Sequence, residues 1–546
     1  MFFGGAMLNF RKIISILLCI ASLLVVGCKD KEQTSSPQND DTVSQAPTQT
    51  VSEQINMIYS SKDTLNPYTC VTAQNKVITQ LMFESLVIVG NNFKPEYNLA
   101  QNIEYNNRVC KIELISAAFS DATPVTATDV IFSFNLAKES AAYSSMLNYA
   151  VSAEATGTRT LTITLSRDDP YFINLLTFPI IKNGSDTLTD SDNRLLPPIG
   201  TGRYVFDTVE KNLKVNGKYH KNIPKILTVT LTDCPDDEAT NQALSTGAVD
   251  IYFTDLENNI IPKMNGSAVD VILPRIVFLG VNPKSALVKN VYFRQAVSAA
   301  LDRESICTSA YFSKATPAKG PFPTVLEEVA NLQTTEQKPN LETVNANIEL
   351  AGFKNKNKDG FYLLQNNEPI TLTLLVSKDN SLRLAAANII KKNLENAGFK
   401  IRIVSVSNKI FKTELSAGAY DIYLGEINMH NNLDLGALVS LNSAKLLLSK
   451  KSPIVTNNKD DKPVSSQPAS SSSASNVTAQ SLTTADIYKG FYSGKYTVED
   501  LTSAFIAELP VIPVCYRNGL TIYSEKLGTG LRPTISDLFY DTENLK

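Results

Sequence analysis

The chain has 546 residues, with 51 Lys and Arg against 54 Asp and Glu and a formal net charge of −3. That balance offers no footprint for nucleic acid, and two well-separated histidines, His220 and His430, cannot make a histidine-rich metal centre. Metal ligation by carboxylates alone stays open, with nothing in the sequence to mark it.

A basic pair, Arg11 and Lys12, precedes the apolar run IISILLCIASLLVV, which ends at Val25-Val26-Gly27-Cys28. The run is about 14 residues, short of the ~20 that cross a hydrocarbon core. It resembles a bacterial lipoprotein signal peptide, in which Cys28 is diacylated and becomes the mature N-terminus. Met7 is an alternative start, and the plainer alternative is a chance cysteine inside an ordinary secretory signal. Residues 29–52 are rich in Ser, Thr, Gln, Asn, Asp and Pro. Such a segment cannot bury enough apolar surface to offset the entropy of ordering, so it reads as a flexible tether.

The remaining chain is long enough for two or three domains with substantial cores. Beyond Cys19 and Cys28 its five cysteines, Cys70, Cys110, Cys234, Cys307 and Cys515, are scattered and odd in number, unlike a disulfide framework or zinc motif. They read mainly as buried small apolar residues, Cys110 within VCKIELI above all. There is no tryptophan, and 21 Tyr and 23 Phe supply the aromatic surface.

The alternation Ile55, Met57, Tyr59 predicts a strand that ends before the turn at Asn66-Pro67. VITQLMFESLVIV gives helical spacing followed by another apolar stretch. In PVTATDVIFSF, Thr126 or Thr128 can cap a helix whose first turn holds Asp129 and whose stripe is Val130, Phe134 and Ala137. TRTLTITLS alternates as a strand. IGTGRYVF puts two glycines before a strand, as in a tight crossover between lobes. It lacks the spacing of a dinucleotide cradle, which should lead into a helix.

VYFRQAVSAALDRESICTSAYF reads as the strongest amphipathic helix in the chain: Phe293, Ala296, Val297, Ala300 and Leu301 form one stripe, with Arg294, Gln295, Asp302 and Arg303 mainly off it. IELAGF and NLENAGFKIRIV each place a glycine where a helix would finish. AYDIYLG reads as a buried strand leading into a polar loop. Residues 450–485 are too poor in apolar side chains to join a core and predict a surface insertion. Cys515 to Ile522, after Pro510 and Pro513, reads as a returning strand. The sum is an α/β protein with more than one mixed sheet.

Four stretches, DTLNPY, PVTATDVIFSF, IGTGRYVF, and VYFRQAVSAALDRESI with the later LPVIPV, fall in order from about residue 52 to the end. Together they resemble the extracellular solute-binding proteins of family 5, the peptide- and nickel-binding lipoproteins of ATP-driven importers. The resemblance implies a periplasmic-binding-protein-like α/β fold, two lobes closing on ligand with an additional α/β domain. Lobe I is then expected from 53–95, 198–285 and 506–546, the additional domain from 96–197, and lobe II from 286–505. It also implies a monomer that needs no cofactor. Anchored through Cys28 on the extracytoplasmic face of the cell membrane, it would pass a short peptide or other small solute to ABC permease subunits with cytoplasmic ATPases.

Peptide-binding members commonly hold the ligand's ammonium with an aspartate three positions after a tryptophan, just beyond a strand like AYDIYLG. Here Glu426 takes the tryptophan position and Met429 the aspartate position, and methionine cannot pair with an ammonium. Either Glu426 or Asp434 replaces the carboxylate, or the ligand has no free amine, or these are ordinary solvated loop groups. Tyr423, Asn428 and His430 complete the candidate pocket. Competing functions are a solute or peptide-signal receptor on the same fold, and capture of a nickel chelate or sugar. An enzyme is disfavoured because no Gly-x-Ser-x-Gly elbow, His-Glu-x-x-His or P-loop is present. His220, in the polar stretch NGKYHKNIP, is expected in an exposed loop.

Overall fold

Two long strands, Ser267–Val281 and Ile512–Tyr523, pair antiparallel and carry the architecture. The protein's structure, a computed structural model, describes residues 52–257, 262–333, 338–439 and 482–542. The leader with Cys28, the tether up to residue 51 and the expected insertion as far as residue 481 lie outside the described residues. Among those described, eleven strands join in one sheet.

On one side of the long pair run Ile251–Thr254, Gln54–Tyr59, Thr228–Asp233, Asn212–Val215 and Tyr204–Asp207. On the other run Ile422–Asn428, Thr371–Ser377 and Lys400–Val406, and the eleventh strand, Ala315–Pro317, pairs antiparallel with Ile512–Tyr523. Gln54–Tyr59 lies parallel to Thr228–Asp233, and Thr371–Ser377 lies parallel to both its neighbours. Parallel strands need both faces covered, so each wing carries its own helices and its own core. One core gathers Ile55, Leu81 and Val229, and a second gathers Val297, Ile390 and Leu424. The result is a bilobed α/β fold whose lobes share the long strand pair.

Prolines mark where that pair bends. The register shifts between Ile272 and Arg275, around Pro274, and again opposite the stretch from Pro513 to Cys515. A proline has no N–H for the ladder and is tolerated in a sheet mainly at edges and such irregularities. A four-stranded antiparallel sheet, Ala100–Asn106, Val109–Leu114, Thr160–Leu165 and Ala150–Ala155, stands apart from the main sheet. Its Cys110, Ile112 and Leu161 nevertheless join the core that holds Ile55 and Val229.

Local signals explain most elements. Thr126, not Thr128, caps the helix Ala127–Glu139. Its N–H reaches Asp129 Oδ2 at 2.9 Å and its hydroxyl the same oxygen at 2.5 Å, and Val130, Phe134 and Ala137 are buried. Gly352 and Gly398 take φ of +96° and +103° just past the helices Leu341–Leu350 and Ser381–Asn396. The two glycines of IGTGRYVF serve a close approach: a Cβ on Gly202 would lie 2.4 Å from the carbonyl carbon of Met82, where the helix Ala73–Met82 ends.

The long amphipathic pattern forms in pieces. The helix Val291–Ala299 stops, and a short turn at Arg303–Ser305 leads into a wider helical turn at Ile306–Ala310. The stripe is buried as expected, but Arg294 and Arg303 are buried too. Arg294 donates to the carbonyls of Val288, Lys289, Glu508 and Leu509 at 2.6–3.0 Å. In doing so it satisfies the end of the helix Val498–Glu508. Arg303 donates to Ser298, Ala318 and Pro513 carbonyls at 2.9–3.0 Å. Carbonyl acceptors, absent from any side-chain pattern, are what bring these cations inside. All five cysteines are buried and free.

Candidate ligand cleft

The short strand Glu84–Ser85 follows directly on the helix Ala73–Met82 and forms one wall of a cleft of about 380 Å³. Tyr143, Pro179, Lys221 and Asp537 also line it, and Asn431 reaches it from the loop after Ile422–Asn428. The first wing and its neighbouring segments thus supply nearly all of this lining, and Asn431 alone joins it from the loop after a strand of the other wing.

The cleft carries charge of both signs. Arg203 and Asp537, both buried, pair at 2.7 Å. Lys221 Nζ donates to Asn98 Oδ1 at 2.7 Å. Glu84 Oε1 shares a 3.0 Å hydrogen bond with His220 Nε2. Burial pushes the Glu84 carboxyl up to about 7, against the pull of Lys221, Thr201, Arg203 and Asn98. Two buried oxygens here, Glu84 Oε2 and Ser536 Oγ, have no hydrogen-bond partner among the described residues. His220, expected in an exposed loop, is instead largely buried, with 15% of its side chain accessible. The carboxylate that draws it in lies 136 positions earlier in the chain.

The residues singled out from sequence fall in three places. Tyr423 is fully buried in the second lobe, its ring edge-on to Phe278, Phe411 and Tyr420. Gly280 and Gly425 make room for it, since a Cβ on either would lie within 2.0–2.8 Å of its ring.

Glu426 and Asn428 belong to an arginine cluster on the long strands. Arg275 and Arg517 are opposite one another in the register. Arg517 Nη1 donates to Glu426 Oε1 at 2.8 Å, and Arg383 Nε lies 3.3 Å from Oε2. Arg275 donates to Asn428 Oδ1 at 2.6 Å and to Asp255 Oδ2 at 2.8 Å. Although burial raises it, Arg275 holds the Asp255 carboxyl below its ordinary range.

Met429, His430 and Asp434 lie on the following loop. Met429 is buried and donates its N–H to Pro274 O at 2.7 Å, which fixes the loop to the kinked long strand. Burial lowers the His430 pKa. Asn174 Nδ2 donates to Asn431 O at 3.1 Å and Asn432 Nδ2 to Asp169 Oδ2 at 2.8 Å, so the loop bonds to the opposite lobe. Asp434 accepts from Arg167 Nη2 at 2.6 Å and from Tyr488 OH at 2.6 Å. Burial alone would raise its pKa; Arg167 above all holds it below the usual carboxylate range.

Asn431 is thus the loop residue that reaches the cleft, while Glu426 and Asp434 already serve the chain's own cations. Sequence reading passed over Glu84, Lys221, Arg203 and Asp537. Only Glu84 left a signal, an acid inside the apolar stretch LMFESLVIV. Among the described residues no three His, Cys, Asp or Glu side chains stand together as a metal centre.

A two-lobed α/β fold with a charged cleft is the architecture of a solute-binding protein. The family model for bacterial extracellular solute-binding proteins, family 5, matches residues 94–445, and the chain belongs to that family. It is 24% identical over 360 residues to the oligopeptide-binding protein AppA of Bacillus subtilis, covering 60% of this chain and 64% of AppA. To the glutathione-binding protein GsiB of Shigella flexneri it is 25% identical over 284 residues, covering 48% of this chain and 55% of GsiB. The chain thus matches somewhat over half the length of these curated relatives. The solved structure of a nickel ABC transporter protein from Bacillus halodurans superposes with a TM-score of 0.67 at 18% identity, covering 90% of this chain and 98% of that one. AppA of Bacillus subtilis in complex with a nonapeptide gives 0.53 at 18% identity, with 90% and 99% covered. These likenesses extend the fold over 90% of the chain.

Proposed function

We propose that the protein captures short peptides in the cleft between its lobes and delivers them to an ABC permease driven by cytoplasmic ATPases. In this reading it works as a monomer tethered through a lipid on Cys28 at the extracytoplasmic face. Membership in a family of binding proteins makes capture, not turnover, its work. The relatives named for oligopeptides and for glutathione support a peptide ligand.

The observation that carries the reading is the presence of Glu84 and Lys221 together in the lining of one cleft. A peptide is a zwitterion in the cell's surroundings. A buried carboxyl poised near neutrality gains most from an incoming ammonium, and the lysine can answer the ligand's carboxylate. The unpartnered Glu84 Oε2 and Ser536 Oγ supply hydrogen-bonding capacity that water or ligand must satisfy. Glu426 and Asp434 then hold the lobes' own arginines, and the ammonium contact passes to Glu84.

Calorimetry of a free tripeptide and its N-acetylated form at pH 6.5, in two buffers of different ionisation enthalpy, tests this. The free peptide is expected to bind one-to-one with release of a fraction of a proton as Glu84 ionises. The acetylated form should bind at least tenfold more weakly, by the ~1.4 kcal/mol per decade that a lost charge-assisted contact readily supplies. Equal affinities without proton release would remove Glu84 from the role.

A further inference from the structure

The loop that sends Asn431 into the cleft sends Asn432 and Asp434 into a second polar centre beside it. There the guanidinium of Arg167, two residues past the strand Thr160–Leu165, lies 4.3 Å from the centroid of the Tyr149 ring and 4.6 Å from that of Tyr492. Asp434 accepts from it at 2.6 Å and is itself braced by Tyr488 OH and, at 2.8 Å, by the N–H of Gly436. On the far side Asp169 accepts hydrogen bonds from Tyr149 OH and Asn432. Two aromatic faces with a carboxylate at the rim form a seat for a flat or compact cation.

Two further observations make it more than a structural ion pair. Asn432 and Tyr492, 2% and 8% exposed, each leave a buried oxygen, Oδ1 and the hydroxyl, with no partner among the described residues. Spare acceptors beside a carboxylate suit a donor-rich occupant, and a guanidinium carries five N–H groups. The seat is also divided between separate segments. Tyr149, Arg167 and Asp169 flank the strands Ala150–Ala155 and Thr160–Leu165 of the four-stranded sheet, whereas Asn432 and Asp434 follow the strand Ile422–Asn428 and Tyr488 and Tyr492 lie on the helix Thr484–Tyr492. Parting these segments would separate Arg167 from Asp434 and leave that carboxylate open to another cation.

We propose that Tyr149, Tyr492 and Asp434 form a cation subsite of the ligand cleft, and that Arg167 is its built-in occupant, displaced by the guanidinium or alkylammonium side chain of a basic peptide. The peptide part rests on the function proposed above; the seat itself does not. Arg167 then sets specificity by competition: only ligands whose cation outcompetes it gain from this subsite, and the apparent affinity falls by the fraction of molecules in which Arg167 is seated.

The test titrates the purified chain with methylguanidinium, comparing wild type, Arg167→Ala, and Arg167→Ala with Asp434→Asn. Arg167→Met, which keeps the stem between the two rings, replaces Arg167→Ala if the latter does not fold. The single variant is expected to bind methylguanidinium at least tenfold more tightly than wild type, with a rise in its Tm, and the double variant to lose that gain. It should also bind Ala-Arg-Ala with a gain over wild type that Ala-Ala-Ala does not share. Equal methylguanidinium affinity in wild type and the folded single variant, or a gain that survives Asp434→Asn, overturns the proposal. A methylguanidinium gain with no binding of either peptide upholds the seat and rejects the peptide ligand; peptide binding without that gain does the reverse.

Discussion

At the scale of single residues, Glu84 shows how burial turns a common side chain into a sensitive one. Its pKa rises from 4.5 to about 7 because taking the charged form out of water costs more than its neighbours return. A raised carboxyl favours the folded state while protonated, so its contribution is fully present below pH 4.5 and is lost as pH rises through 7. Between pH 5.5 and 8 the loss amounts to about 2 kcal/mol for a shift of this size. Urea denaturation at the two pH values should show that drop in wild type, and Glu84→Gln, which keeps the shape without the charge, should flatten it. An unchanged slope in the variant would assign the pH dependence to other groups. Little of this was legible in the sequence. LMFESLVIV exposes the oddity of an acid among apolar residues, but His220 and Lys221 sit in a polar stretch that reads as solvated. What buries His220 is a contact 136 positions away.

At the scale of elements, the sequence speaks clearly wherever the signal is local. The Thr126–Asp129 capping box, the glycines at 352 and 398 and the strand Ile422–Asn428 all follow from short windows. The long pattern from Val291 onward fails as a single helix: Asp302 caps a new turn by accepting from the Ser305 N–H, and Arg303 in that turn binds carbonyls of distant segments. The same limit hid the arginine cluster on the long strands, where Arg275 and Arg517 meet only once the register is formed. Glu426 neutralises part of that cluster, its side chain 8% exposed and in reach of three arginines. Glu426→Gln should therefore cost about 3–5 kcal/mol, the range for removing one partner from a buried ionic network. Denaturant unfolding reads it; a cost below about 1 kcal/mol would mean that solvent already screens the arginines.

At the scale of the molecule, the order of four short motifs carried the fold where no one of them could, and a two-lobed α/β architecture follows from that order. The cleft was less accessible, because its walls come from segments near residues 84, 143, 221, 431 and 537. No short window of sequence contains more than one of these segments. The loop from Met429 to Asp434 bonds to the segment around Asp169, so under the proposed function ligand entry would part bonds such as Asn432 to Asp169 and closure would reform them. The measurement that bears most directly on capture between the lobes is native mass spectrometry of the chain from residue 29 as purified, followed by release of what is bound and hydrogen exchange with and without it. A one-to-one complement of short peptides, protecting the amides around Glu84–Ser85 and Asn431 together, is the predicted result. A bound species that protects one lobe alone, or a protein that stays empty and gains no Tm against a peptide library, would contradict it.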